Sequence, residues 1–430
     1  MESLTLGKYL EKDNVRKNLL EVRDRKSSVL EASKIAYNNQ RKPILFYKID
    51  DKKFPLVMNA FFSRDLIFEE LKVRKDTEVY LKFLRALTNP TKMREDSLEK
   101  YYVKTKLTLN DLPILKFYPR DGGKYLTSSI VLAGDGEGVF NASIHRLMVI
   151  NERKAAIRIV PRHLYKMFLK FKSMGKDIPI AILVGTHPLI ALCAAFSPPY
   201  GIYEMEVANT LFNGFIKAAY VGKTEIPVPL VSEFILLGVI KCSEEAEEGP
   251  FVDILETYDS VRKQPVVEIK EVWIREDGGV FQEILPGGYE HKFLMGFPRE
   301  VMIWDSVRKV VPEVKAVRLT PGSGGWLHAI ISIKKQSEGD GKNAILAAFS
   351  GHPSLKHVIV VDDDINIDDS EEVEWAIATR FRADRDLVII SNVKGSTLDP
   401  MSEEGLTAKM GIDATKPLNK PSIFFEKAKF

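Results

Sequence analysis

Between about Leu107 and Phe293 the apolar residues come in short runs separated by turn residues, and this texture constrains the fold most. The runs are Ile130–Leu132, Leu147–Ile150, Ala156–Val160, Ala181–Val184, Ile235–Val239, Val266–Ile269 and Val272–Ile274. Runs of three to five residues are too short for amphipathic helices and fit strands, so the middle of the chain reads as a β-rich barrel or strongly curved sheet. Two helices are predicted inside it, at Arg162–Met174 and Met205–Lys217. One longer apolar stretch, Ile178–Phe196, carries Pro179, Gly185, Thr186, His187 and Pro188 and cannot form an uninterrupted spanning helix. It reads as a buried strand over Ile180–Val184, a turn, and a helix opening at Pro188, where proline is tolerated.

The flanks differ from this middle. Helical periodicity covers Thr5–Ile35, followed by strands near Ile44–Ile49 and Leu56–Asn59, helices over Ser63–Val73 and Val79–Leu87, and a stop at Asn89-Pro90. The last third alternates strands (Ala316–Leu319, Ala329–Ile333, His357–Val361, Leu387–Ile390) with helices (Gly341–Phe349, Glu371–Phe381), the order of a parallel or mixed sheet covered by helices. The class is α/β (α+β) in three parts: an N-terminal α/β region 1–106, a central β-rich domain 107–295 and a C-terminal α/β domain 296–430. The apolar tail Ile423-Phe-Phe at the end of Lys416–Phe430 is expected to dock on its own or a neighbouring subunit.

Composition excludes several classes. With 45% hydrophobic and 28% charged residues the chain has both a core and a solvated surface, so it is not mainly disordered. A net charge of +3 with interspersed signs gives no electrostatic reason to expect nucleic acid or an anionic membrane as partner. Two cysteines, Cys193 and Cys242, make neither a disulfide framework nor a thiolate metal site, and the N-terminus lacks an apolar export segment. A cytoplasmic protein is expected. Three motifs fail on inspection. Asp362-Asp-Asp364 resembles a calcium loop, but Ile367 and Val373 stand where glycine and glutamate are needed. Gly322-Ser-Gly-Gly325 precedes a strand, so it reads as a tight turn, and no Gly-x-Ser-x-Gly elbow exists.

Four segments of the middle domain carry polar residues for which a structural role is hard to supply. Asn141 and Arg146 are five apart and would point to opposite faces of a flat strand; to serve one site the backbone must bend between them. Taken alone they read as a turn residue and a solvated charge. Arg162-His163 opens a predicted helix, and Glu204 begins another after the loop Ser197-Pro-Pro-Tyr-Gly201. Asn, His and Glu together suit a hard or borderline divalent ion such as manganese or magnesium, although their spacing alone is no motif. Glu248-Gly-Pro-Phe-Val-Asp253 places two carboxylates about a Gly-Pro turn. If Arg146 neutralises one, the other is left as a proton donor; the bland alternative is an acidic loop.

In this order and at these separations, the segments resemble the UbiD-like family of reversible decarboxylases that use prenylated flavin mononucleotide. The likeness rests on Asn141 through Arg146, on His163, and on Glu204-Met-Glu-Val-Ala-Asn209, where the family has glycine in place of Asn209. It rests further on Pro229-Leu-Val-Ser-Glu233 through Gly238, and on Glu248-Gly-Pro-Phe-Val-Asp253, where Val252 replaces glycine. The endings Val360-Val-Asp-Asp-Asp-Ile, Gly395-Ser-Thr-Leu-Asp-Pro400 and Lys409 through Thr415 complete it. The resemblance implies a central split β-barrel that binds prenylated FMN. Mn2+ or Mg2+ would be held by Asn141, His163 and Glu204, with K+ nearby. Flavin contacts would come from Asn141, Ser143, Ile144, His145, Arg146, Arg162, His163, Ser197, Pro198, Glu204 and Lys409. It implies Asp253 as proton donor, with Glu248 and Arg146 setting its charge state and that of the cofactor.

The resemblance also implies a flavin prenyltransferase as cofactor supplier and a homodimer or higher homo-oligomer. Chain length and a Lys/Glu/Ile-rich composition are similar to those of the archaeal subgroup that decarboxylates trans-anhydromevalonate 5-phosphate in isoprenoid synthesis. Two alternatives stay open: an aromatic decarboxylase acting on polyprenyl-hydroxybenzoate or a phenolic acid, and a flavin-binding partner subunit without turnover. A binding subunit has no need of the Arg146, Glu248 and Asp253 set.

Overall fold

The computed structural model describes residues 4–221 and 225–428, and the chain divides into two compact units. The first comprises the residues up to Leu71 together with Arg85–Leu294, and the second Lys72–Leu84 with the residues from Met295 onward.

A nine-stranded antiparallel sheet organises the first unit. Its order is Tyr125–Leu126, Leu147–Val149, Lys154–Ile157, Arg262–Arg275, Phe234–Glu248, Ile178–Val184, Ile130–Gly134 and Phe140–Ile144, with Tyr102–Thr105 added on Arg262–Arg275. The sheet curls into an open half-barrel. Ile178–Val184 is apolar nearly throughout because it is an interior strand of the sheet, and its Ile178, Ile180, Ile182 and Val184 meet the core that helix His163–Ser173 also faces. That helix presents Leu164, Met167, Phe168 and Phe171, spaced for a single face, to the same core. The runs Val266–Ile269 and Val272–Ile274, expected as separate strands, are one strand interrupted only by a register shift opposite Leu237/Gly238. Gly238 explains the shift: a Cβ there would collide with the Glu268 carbonyl oxygen, so only glycine lets the strands close at the bulge.

Around this sheet the expectations hold less evenly. The helix expected over Thr5–Ile35 is three short ones, Leu6–Leu10, Asp13–Arg16 and Glu31–Asn38, with a strand Leu20–Val22 between. That strand pairs in parallel with Ile44–Phe46 in a four-stranded sheet with Leu56–Met58 and Phe281–Glu283, so long-range pairing overrides local helical preference. The helix expected over Met205–Lys217 is Glu204–Leu211, because Asn213 and Gly214 both adopt positive φ and end it.

The second unit carries a five-stranded mixed sheet, ordered Val314–Leu319, His328–Ile333, His357–Asp362, Leu406–Ala414, Leu387–Lys394. Helices Asp340–Gly351 and Ser370–Arg380 join its strands, as expected. The strand Leu406–Ala414, which carries one of the family signatures, inserts between two strands that precede it in the chain. Asp362 and Asp364 both clasp the buried Arg380, at 2.7 and 2.9 Å, so these carboxylates are neutralised by a guanidinium. Phe425 of the tail is buried and its carbonyl accepts from Arg380, whereas Ile423 and Phe424 are exposed; residues 429 and 430 lie outside the described residues. Among the described residues no helix is long and apolar enough to cross a membrane.

Candidate active site

Strand Phe140–Ile144 ends one residue before His145, and the next strand begins at Leu147, so the backbone turns at His145-Arg146. This break is the bend that the five-residue spacing demands. It sends Arg146 to the carboxylate-rich turn after Phe234–Glu248. Its Nε donates to Glu248 Oε1 at 2.8 Å and its Nη2 to Glu248 Oε2 at 3.0 Å, a two-pronged fork on a fully buried carboxylate. The same Nη2 donates to Asp259 at 3.0 Å, and Nη1 lies 3.6 Å from Asp253 Oδ2. The guanidinium also lies over the Phe251 ring, 4.6 Å from its centroid. The Arg146 side chain is 11% exposed, against 0, 25 and 18% for Glu248, Asp253 and Asp259, so their attraction is weakly screened. Burial opposes the Arg146 charge, but these carboxylates outweigh it and hold the guanidinium above its ordinary range. One cation thus gathers three carboxylates, of which Asp253 is the most exposed and the least tightly bound.

The strand's alternation places Asn141, Ser143 and His145 on one face and Ala142 and Ile144 on the other. Asn141 Nδ2 donates to Ser143 Oγ at 2.9 Å, and Ser143 Oγ lies 2.8 Å from His145 Nε2. His145 Nδ1 faces the Arg158 carbonyl at 2.8 Å, which can only accept, so the proton sits on Nδ1 and Nε2 accepts from Ser143. Burial pushes His145 down to about 4, so the ring stays neutral and this direction holds. The relay turns the Asn141 amide so that its nitrogen, not its oxygen, faces Ser143. His145 is therefore an orienting group whose two nitrogens are already engaged.

Glu204 heads helix Glu204–Leu211 and is buried, with one oxygen accepting the Ala142 N–H at 2.8 Å. Desolvation pushes its carboxyl up to about 8, against opposing help only from backbone N–H groups. A buried carboxylate without a cationic side chain beside it is the donor that a bound cation would neutralise. His163 opens helix His163–Ser173; burial first, then the cations of Arg162 and Lys166, hold its imidazole below the ordinary value, the neutral form that ligates metal. Tyr200 links it to the Glu204 loop, with its ring edge-on to His163 at 5.4 Å and its hydroxyl donating to Asp135 at 3.1 Å. Arg162 donates to Ser197 Oγ at 3.0 Å, with Pro198 buried next to it. An amide oxygen, a neutral imidazole and an uncompensated carboxylate form a donor set that fits Mn2+ or Mg2+. Among the described residues no group of three or more His, Cys, Asp and Glu that could hold a metal ion is found.

Three further residues join the Arg146 cluster without a signal in the sequence. Asp259 has no motif around it, and Tyr125 and His291 sit in unremarkable contexts. His291 is half-buried, accepts the Gly287 N–H on Nδ1 at 3.1 Å, and feels the Asp253 and Arg146 charges. Lys409 belongs to the second unit, where its ammonium donates to the Pro353 and Leu355 carbonyls at 2.5 and 2.7 Å. The two departures from the family pattern have local reasons. Asn209 is fully buried and bridges the Thr91 and Lys92 carbonyls to the Ile216 N–H, work that glycine cannot do. Val252 is buried in a short strand pairing with Tyr258.

Models of the 3-octaprenyl-4-hydroxybenzoate carboxy-lyase N-terminal, Rift-related and C-terminal domains match residues 10–91, 91–289 and 292–414. The chain therefore belongs to the UbiD family and is a carboxy-lyase. It is similar to the anhydromevalonate phosphate decarboxylase of Aeropyrum pernix, 46% identical over 97% of this chain and 94% of that one. The enzyme of the same name from Methanothermobacter thermautotrophicus is 42% identical over 96% and 97%. Among solved structures, the UbiD-class enzyme HmfF from Pelotomaculum thermopropionicum in complex with FMN superposes with a TM-score of 0.94. It is 35% identical and covers 99% of this chain and 97% of that one.

Proposed function

We propose that this chain is a prenylated-FMN-dependent, non-oxidative decarboxylase of anhydromevalonate phosphate, acting in a reducing cytoplasm. The observation that carries the reading is the single buried guanidinium shared by Glu248, Asp253 and Asp259. It is an arrangement for holding charge and passing a proton. When bound, the modified flavin supplies the electron sink for breaking the carbon–carboxylate bond.

The protein's own part follows from the geometry. Arg146 fixes Glu248 by its two-pronged fork. Asp253, held more loosely and partly open to solvent, is free to deliver a proton to the carbon that loses carbon dioxide and to be reprotonated afterwards. Asn141, His163 and Glu204 would hold Mn2+ or Mg2+ against the flavin phosphate, with K+ as a second cation. Ser143 and His145 orient Asn141, while Ile144, Arg162, Ser197 and Pro198 would bound the phosphate side. Buried, unpaired Cys193 and Cys242 support the compartment. The exposed Ile423 and Phe424 support a homodimer or higher assembly, as does a dimeric evolved form of HmfF.

The test is co-expression with a flavin prenyltransferase and measurement of carbon dioxide release from anhydromevalonate phosphate beside a panel of aromatic acids. Release from the phosphate ester alone supports the reading. Preference for a phenolic acid would move the chain to the second reading, which the 30% identical gallate decarboxylase of Lactiplantibacillus plantarum supports.

A further inference from the structure

The segments that carry Asn141 and Glu204 are joined directly: the Ala142 N–H donates to Glu204 at 2.8 Å, and the Phe140 ring tilts against Tyr203 at 5.7 Å. His163 comes from a third segment, helix His163–Ser173, and Tyr200 ties that helix to the other two. Tyr200 belongs to the loop that leads into Glu204, and its ring meets His163 edge-on at 5.4 Å. The Lys166 ammonium lies over the same ring, 3.8 Å from its centroid, drawn by the negative face of the phenol. The hydroxyl donates to Asp135 Oδ2 at 3.1 Å, in the loop that leads into strand Phe140–Ile144. Asp135 is itself fixed: it is buried, and its Oδ1 accepts the Glu137 and Val139 N–H groups at 2.8 and 3.1 Å. Lys170 adds a second strut, 3.7 Å from Asp135 Oδ2 and 2.8 Å from Glu137 Oε1. His163, Lys166 and Lys170 fall on one face of their helix, so a single face presents the imidazole and both cations to this corner.

We propose that Tyr200 is a positioning residue for the metal site: it locks together the three segments that bear Asn141, His163 and Glu204. One side chain reaches all of them, His163 by its ring edge, the Asn141 strand through Asp135, and Glu204 through the backbone they share. This rests on the reading of Asn141, His163 and Glu204 as ligands of Mn2+ or Mg2+. Tyr200 is 36% exposed, so its substitution spares the core, and metal binding and stability can be read apart.

The test is a Mn2+ titration of the full chain with FMN present, following the unbound ion by electron paramagnetic resonance, beside the Tm of each variant. Tyr200→Leu removes both the ring and the hydroxyl and is expected to raise the Mn2+ Kd about tenfold or more, as loss of a group that orients a ligand does. Tyr200→Phe keeps the ring against His163 and under Lys166 but loses the Asp135 tether, and is expected to raise it only about threefold. That graded order, with Tm nearly unchanged, supports the proposal. Equal Kd values in the wild type and both variants overturn it, as does a loss of Mn2+ that merely follows a fall in Tm. If Tyr200→Leu does not fold, Tyr200→Phe decides, and an unmoved Kd there overturns the proposal. A wild-type protein that binds no Mn2+ would instead sink the ligand reading and take this proposal with it, so the two failures are told apart by the wild type alone.

Discussion

The Arg146 cluster allows charge and geometry to be separated by two substitutions. Arg146 makes three charged hydrogen bonds, two to Glu248 and one to Asp259. Lysine preserves the charge but, as a single ammonium, cannot reproduce the fork and gives up about two of these bonds. At about 1.5 kcal/mol each, Arg146→Lys loses about 3 kcal/mol. If that loss falls on the transition state, kcat/KM drops about 150-fold. Arg146→Met instead strands the fully buried Glu248 and takes the cation from Asp253, while Asp259 keeps Arg262, and is expected to cost about 3–5 kcal/mol of stability. Stranded carboxylates bind protons more readily folded than unfolded, so the stability of the methionine variant falls as pH rises and is partly regained near about pH 4.5. The lysine variant keeps its counter-charge and lacks this recovery. Urea unfolding of both variants at about pH 4.5 and about pH 7.5, with carbon dioxide release at neutral pH, measures each quantity. Full activity in the lysine variant, or no pH-dependent recovery in the methionine variant, refutes the reasoning.

Asp253→Asn should leave folding and flavin binding intact and abolish turnover; full activity by carbon dioxide release removes Asp253 from the acid role. His163→Ala should lower divalent metal and flavin retention, read by metal analysis and the visible spectrum after purification, and unchanged metal content rejects the ligand. Glu283 is buried, with one oxygen bonded by Thr127 and the other without a partner, and burial pushes its carboxyl up to about 8. The folded state holds this proton more tightly than the unfolded state, so Glu283 withdraws stability as pH rises from about 4.5 to about 8, at up to about 1.4 kcal/mol per pH unit. Glu283→Gln should flatten that part of the stability profile, measured by urea unfolding between about pH 5 and about pH 8.

The strands of the central sheet are legible in the sequence because burial on both faces leaves apolar runs that turns cannot imitate. What escapes is governed by distant partners. Lys270-Glu271 looks like a break between strands and is instead the polar side of a bulge made possible by Gly238 across the ladder. Leu20–Val22 looks helical until Ile44–Phe46 offers a partner. The end of helix Glu204–Leu211 is written in Asn213-Gly214, a pair suited to positive φ that apolar periodicity alone overruns. The site divides in the same way. The bend between Asn141 and Arg146 follows from strand alternation alone, and the acidic turn is visible, but their pairing comes from family resemblance. Asp259, Tyr125 and His291 carry no local signal, because each matters only through residues far along the chain or across a loop closure.

The hydrogen-bond relay from Asn141 to the Arg158 carbonyl has a consequence for how the enzyme comes into being. Its members are neutral and satisfy one another, so the amide is turned without any help from an ion. The polypeptide can therefore fix this amide as it folds, before anything binds beside it.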